Sequence, residues 1–210
     1  MVSKRTSFGF SGLGLIAVFA LMSPFAQAEG LGSFLSGMTQ PPLPKPIPQL
    51  RYIRDAMAKL APDEYISFSP ANPTSHVYIL ADANCPWTRE MHKKVPEFNA
   101  KGIEIRYVAA PEGSLAGPAW TKYRNIWCGN NPKQAFDDAM KGLSVKAATC
   151  SDNKMRTLAA QSQFMMAMPN TSTPTTFFQD GFWIVGTEAA VGLPEKANMA
   201  AKIVGQYAGR

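Results

Sequence analysis

Of the three cysteines in this 210-residue chain, Cys85 has the neighbours that make a sulfur reactive. It opens Cys85-Pro86-Trp87-Thr88, which lies between an apolar run, Val77-Tyr78-Ile79-Leu80, and a stretch of helical pattern reaching His92. The run reads as a buried strand, and Asp82-Ala83-Asn84 as the turn after it. A cysteine where a strand passes into a helix meets unpaired backbone N–H groups and the positive dipole end. Both favour the thiolate over the thiol. Pro86 suits the first helical turn, where its missing N–H is no loss. Where a second cysteine would complete a dithiol Cys-x-x-Cys pair stands Thr88. Its hydroxyl, one turn along, either donates a hydrogen bond to the sulfur or fills the space of the missing thiol. Asp82 is read either as a proton relay to the sulfur or as a turn residue capping the following helix. His92 is expected to serve surface packing, since it lies two turns beyond Cys85.

An odd cysteine count in an exported chain predicts one disulfide and one free thiol, Cys128 with Cys150 and Cys85 left free. A buried, inert thiol at Cys85 is the plainer alternative. Export itself is read from the N-terminus. Lys4 and Arg5 precede an apolar core, Leu13 to Leu21, and Ala26-Gln27-Ala28 is a small-x-small cleavage site. Cleavage after Ala28 removes two bases and no acid, lowering the formal charge of +6 by two, to +4. That mild balance, with no dense Lys/Arg run, argues against a nucleic-acid partner. No later segment is long and apolar enough to span a bilayer, so the mature chain is not expected to be an integral membrane protein.

No cofactor or metal is expected, because only two histidines are present and no ligand spacing occurs. Met165, Met166 and Met168 are read as adaptable apolar packing or a lining for unfolded-substrate contacts, in preference to copper thioethers. Asn170-Thr171-Ser172 matches a glycosylation sequon, a pattern short enough to arise by chance.

The elements that must position Cys85 follow from pattern. Residues 1–28 are the signal peptide and 29–48 a Gly-, Ser- and Pro-rich extended leader. Leu50, Ile53, Met57 and Leu60 recur at helical spacing, predicting a linker helix over 49–62 closed by Pro62. A domain over 63–210 follows. Glu64 to Ser69 alternates as a strand with Tyr65 and Phe68 as candidates for burial, and Ile103 to Ala109 reads as a second central strand. Pro96 should kink or close the Cys85 helix. Residues 112–168 hold helical pieces at Trp120–Trp127, Pro132–Met140 and Lys154–Met166. Thr173 to Phe178 and Phe182 to Val185 form a hairpin turning at Asp180-Gly181. Glu195 to Tyr207 closes the chain as a helix with Met199, Ile203 and Tyr207 inward.

The order β-β-α-β-(helical insert)-β-β-α resembles an α/β thioredoxin fold with an insertion. From about Tyr65 onward the chain resembles the periplasmic disulfide isomerases and reductases of the DsbC/DsbG type. Four stretches carry the likeness: Ala81-Asp82-Ala83-Asn84-Cys85-Pro86-Trp87 with His92; Asn125-Ile126-Trp127-Cys128 with Ala135-Phe136-Asp137-Asp138; Cys150; and Thr173-Pro174. The resemblance implies a nucleophilic Cys85, a structural Cys128–Cys150 disulfide, and a Thr173–cis-Pro174 loop that offers backbone groups to an extended substrate. It also implies a periplasmic location, with cysteine-containing exported proteins or unfolded chains and an external thiol reductant as partners.

Two features depart from that family. Thr88 replaces the second cysteine, so a mixed disulfide at Cys85 cannot be resolved within the site. Residues 29–48 are also too few for the family's N-terminal dimerisation domain. Two function classes are therefore expected: a monothiol isomerase or reductase acting through Cys85, or a non-catalytic chaperone or assembly factor of a secretion or conjugation apparatus.

Overall fold

A computed structural model describes residues 48–168 and 172–208. The segment read as a signal peptide, most of the segment read as a leader, and Asn170 and Thr171 of the sequon lie outside these residues, as do the side chains of Met165 and Met166.

Helix α1 (Pro48–Ala58) comes first, then β1 (Ile66–Phe68) and β2 (Ser75–Ala81). The turn carrying Cys85 leads into α2 (Pro86–His92), α3 (Val95–Ala100) and β3 (Ile103–Ala109). Next come α4 (Pro118–Cys128), α5 (Pro132–Met140) and α6 (Asp152–Ala167), then β4 (Thr175–Phe178), β5 (Trp183–Val185), a 3-10 turn (Thr187–Ala190) and α7 (Leu193–Ala208). The five strands form one mixed sheet in the order β1-β3-β2-β4-β5. β2 and β3 run parallel, with Ile79 opposite Tyr107, and the other pairings are antiparallel. The central strand, β2, is therefore the one that delivers Cys85.

Both faces of β2 are covered, which is why its sequence is a continuous apolar run. Val77, Ile79 and Ala81 join Ile105, Tyr107, Met91, Phe98, Trp120, Tyr123, Phe136 and Leu193 in the larger core. Tyr78 and Leu80 face the other way, against Ile53 and Met57 of α1, Val108, Phe177 and Met168. Met168 is thus a packing residue. The start of α1 sits so close to the β4–β5 turn that a Cβ at Gly181 would lie 1.9 Å from the Leu50 carbonyl oxygen. Gly181 also has φ +90°, a conformation that side chains disfavour.

Three sequence expectations change. The inward residues of β1 are Ile66 and Phe68, while Tyr65 is half-buried on the opposite face beside Tyr78 and Arg106. Strand alternation decides this, since 66 and 68 share a face and 65 cannot. Pro96 breaks the Cys85 helix as expected: it has no N–H to give the His92 carbonyl, α2 ends at His92, and Pro96 falls in the first turn of α3. The β4–β5 turn is wider than Asp180-Gly181, with Phe178 N–H donating to the Phe182 carbonyl across it. Met199 is exposed; α7 turns Leu193, Ala197 and Ala200 inward, small residues that let the helix lie close to the sheet.

Two histidines make stability depend on pH. Burial, aided by the Arg106 charge and opposed by Glu104, pushes His76 from its ordinary 6.5 to about 4. Burial also lowers His92, against the pull of Asp137. The unfolded chain takes up these protons near 6.5 and the folded chain only below it. Stability is therefore complete above about 6.5 and lost as pH falls toward 4. Thermal melting across that window should show a falling midpoint, with a shallower fall in His76→Gln.

Candidate functional site

The turn between β2 and α2 is held at nearly every backbone group. Cys85 N–H donates to the Asp82 carbonyl at 3.0 Å, and Asn84 N–H to Asp82 Oδ1 at 2.8 Å. Ala83 N–H donates to the Tyr123 hydroxyl at 2.8 Å, and the Ala83 carbonyl accepts from Arg89 Nε at 2.7 Å. Cys85 is the N-cap of α2, in extended conformation, and no side chain caps the helix there. The first-turn N–H groups therefore remain free to serve the sulfur.

Cys85 is half-buried and is the free thiol among the described residues. Its Sγ lies 3.1 Å from the Thr173 carbonyl oxygen, to which the thiol donates. The Thr173–Pro174 peptide is cis, and this loop is what brings the carbonyl to the sulfur. Partial burial pushes the thiol up. The Thr173 hydroxyl, the N–H and hydroxyl of Thr88, and the Trp87 N–H outweigh that and set it below the ordinary cysteine value. Both hydroxyls, Thr88 Oγ1 and Thr173 Oγ1, are buried without a partner in hydrogen-bonding geometry. They sit beside the sulfur as donors for which the neutral thiol offers little. Trp87, by contrast, is 61% exposed next to Cys85. The structure thus brings Cys85, Pro86, Trp87, Thr88, Thr173 and Pro174 together at one end of the sheet.

Asp82 is placed differently from the capping expectation. It is buried, and its second oxygen, Oδ2, accepts from Glu112 N–H at 3.1 Å. The carboxylate ties the turn to the segment after β3 and does not cap α2. His92 is also corrected, from surface packing to a buried link. Its Nδ1 meets the Tyr107 hydroxyl at 3.0 Å, and its Nε2 meets Asp137 Oδ1 of α5 at 3.1 Å. The reason is tertiary: α5 folds over the end of α2 and covers a face that would otherwise be wet. The disulfide joins Cys128, the last residue of α4, to Cys150, with Cα atoms 5.1 Å apart. It fastens the helices of the insertion and stands apart from Cys85.

Sequence reading missed Tyr123, Lys122 and Arg89, all of which hold the Cys85 turn. Tyr123 carried one faint signal, its spacing of four from Trp127, on which its ring stacks at 5.2 Å. Among the described residues no cluster of three or more His, Cys, Asp or Glu is placed to hold a metal. None of the described helices is long and apolar enough to cross a membrane.

No family model matches the chain. It is 28% identical over 123 residues to the thiol:disulfide interchange protein DsbC of Salmonella typhimurium, covering 59% of this chain and 50% of that protein. Against DsbC of Escherichia coli K12 the identity is 32% over 87 residues, 41% of this chain and 37% of that one. The chain thus spans about half, or less, of the length of these relatives. In structure it is similar to a disulfide interchange protein from Neisseria gonorrhoeae, with TM-score 0.54 and 21% identity over 66% of this chain and 99% of that one. A periplasmic thioredoxin-like protein from Salmonella enterica aligns at TM-score 0.52 and 15% identity, over 71% and 95%. The fold is thioredoxin-like, with a helical insertion between β3 and β4.

Asp82→Ala removes two acceptors of backbone N–H groups, one of them buried in the turn. It should lower unfolding free energy by about 2 kcal/mol, measured by urea denaturation at neutral pH with the disulfide intact.

Proposed function

We propose that this chain is an exported, periplasmic thiol–disulfide exchange protein that works through Cys85 alone. The observation that carries the reading is the placement of the Cys85 sulfur. It lies at an uncapped helix start, beside two unpaired buried hydroxyls and the Thr173 carbonyl, with its thiol set below the ordinary value. Likeness to thiol:disulfide interchange proteins supports it.

In the proposed reaction the Cys85 thiolate attacks one sulfur of a disulfide in an exported protein. A Cys85–substrate mixed disulfide forms, and the other substrate sulfur leaves as a thiolate. Since position 88 is Thr88, no second thiol waits one turn along the helix. Release then takes one of two routes. Another substrate thiolate attacks the substrate-side sulfur, which frees Cys85 and gives a net isomerisation. Alternatively an external thiol attacks the Cys85 sulfur and the substrate leaves as a thiol, fully reduced. A second reductant thiol then attacks the reductant-side sulfur, freeing Cys85 while the reductant is oxidised to its own disulfide. The Thr88 and Thr173 hydroxyls serve as donors to the thiolate, both as nucleophile and as leaving group. The cis Thr173–Pro174 loop presents backbone groups to an extended substrate segment, and exposed Trp87 offers an apolar contact beside the sulfur.

A non-catalytic chaperone or assembly factor is the second reading, favoured by Thr88 standing where a resolving thiol would be needed. Three measurements separate the two. Alkylation of Cys85 in the mature protein, disulfide intact, should titrate well below the free-cysteine value of about 8.5. An ordinary or higher midpoint, or no reaction when folded, would retire the redox reading. Cys85→Ala should abolish refolding of a scrambled disulfide substrate; unchanged function in that variant would favour the chaperone. Thr88→Cys should add net dithiol reductase activity with a small-thiol reductant, and its failure would mean that the site has lost exchange geometry.

A further inference from the structure

We propose that Tyr123, on the inserted helix α4, is a positioning residue that sets the reactivity of Cys85 by locking the turn from Ala81 to Cys85. The inference rests on Cys85 being the reactive sulfur.

A reactive cysteine at a helix N-cap faces a conflict. Ser, Asp or Asn there would fix the helix start by binding the first-turn N–H groups. Cys85 leaves those groups to its own sulfur, so something else must fix the turn. Tyr123 does so from across the core. Its hydroxyl accepts from Ala83 N–H at 2.8 Å and donates to the Ala81 carbonyl at 2.5 Å, bracketing Asp82. A phenol suits this task, since one oxygen both donates and accepts. Tyr123 is fully buried, as are Ala81 and Ala83, and their small side chains let the ring reach the backbone. Burial raises the Tyr123 phenol well above its ordinary value, with the Asp82 charge adding to it, so the donor proton stays in place. Lys122, the preceding residue on α4, reaches Asn84 Oδ1 at 2.5 Å. Adjacent residues of one inserted helix thus hold Ala81, Ala83 and Asn84 of the turn. The helix is itself fixed by Tyr123 and Trp127 packing edge-on against Phe136 of α5, and by the disulfide at its last residue.

Tyr123→Phe keeps the ring and leaves the buried Ala83 N–H without an acceptor. The turn must then shift to find one, and the Trp87 and Thr88 N–H groups lose their aim at the sulfur. The test is the pH dependence of Cys85 alkylation by iodoacetamide in the mature protein, disulfide intact. The midpoint in Tyr123→Phe should rise by about one pH unit, a tenfold loss of thiolate at a given pH. Ile126→Val, a core substitution on the same helix, should leave the midpoint in place while lowering stability. A depressed midpoint in the parent that does not move in Tyr123→Phe overturns the proposal alone. An ordinary midpoint in the parent sinks the reactive-cysteine reading and this proposal with it. Should Tyr123→Phe fail to fold, native-state hydrogen exchange of the parent decides. The Ala83 amide should exchange as slowly as the amides of β2, and exchange at the rate of an exposed loop amide overturns the proposal.

Discussion

The constraint on which the rest of this structure depends is a set of backbone N–H groups that the fold leaves unspent. At the start of α2 no side chain takes the first-turn donors, and the Cys85 sulfur is the group beside them. Such an arrangement is costly unless its surroundings are rigid, because an uncapped helix end frays readily. Much of the chain around it can be read as the answer to that cost. The parallel pairing of β2 with β3 fixes the strand that feeds the turn. Asp82, Arg89 and Tyr123 absorb the polar groups of the turn itself.

The inserted helices belong to the same problem. A helical insertion between two strands of a sheet need only close the chain, and a short loop would do that. Here α4 grips the turn before Cys85, while α5 meets the far end of α2 through His92 and Asp137. The insertion therefore touches the Cys85 helix at both ends. His92 pays for its burial with two partners, one on β3 and one on α5. Asp137 is in turn paired with Lys141 at 2.5 Å. A chain of polar contacts thus runs from Lys141 on the insertion through Asp137 and His92 to the buried Tyr107 hydroxyl of β3.

What the sequence disclosed, and what it hid, divides along one line. Features fixed within a few residues were legible: the apolar run of β2, Pro86 opening α2, the strand from Ile103 to Ala109, and α5 from Pro132 to Met140. So were cysteine pairing and the thioredoxin-like order of elements. Features decided by what packs from far along the chain were not. Nothing local says that α5 will bury His92, or that alanines will displace Met199 from the inner face of α7. Asp82 was open to two readings, a buried proton relay and a helix cap, because its spacing permits either. The structure gives its second oxygen to Glu112, thirty residues away. Tyr123 was hidden most completely. A tyrosine in a helix announces burial of its ring, and nothing about the two backbone groups that its hydroxyl will join.

Thr88 remains the residue that gives the site its character. It is fully buried, and its hydroxyl has no hydrogen-bond partner. A valine would fill nearly the same space with no polar atom to satisfy, so space-filling alone does not account for a threonine. An orphan hydroxyl in a core costs free energy on the order of 1 to 3 kcal/mol, and the Thr173 hydroxyl, also beside the sulfur, carries a similar cost. Both are relieved by one event, ionisation of Cys85, which turns a poor acceptor into a strong one. The two unpaired threonines then act as a bias stored in the neutral state and discharged in the anionic one. Under the proposed monothiol reading, Thr88 stands where a dithiol site would hold its resolving thiol, and the two hydroxyls would favour the Cys85 thiolate both as nucleophile and as leaving group.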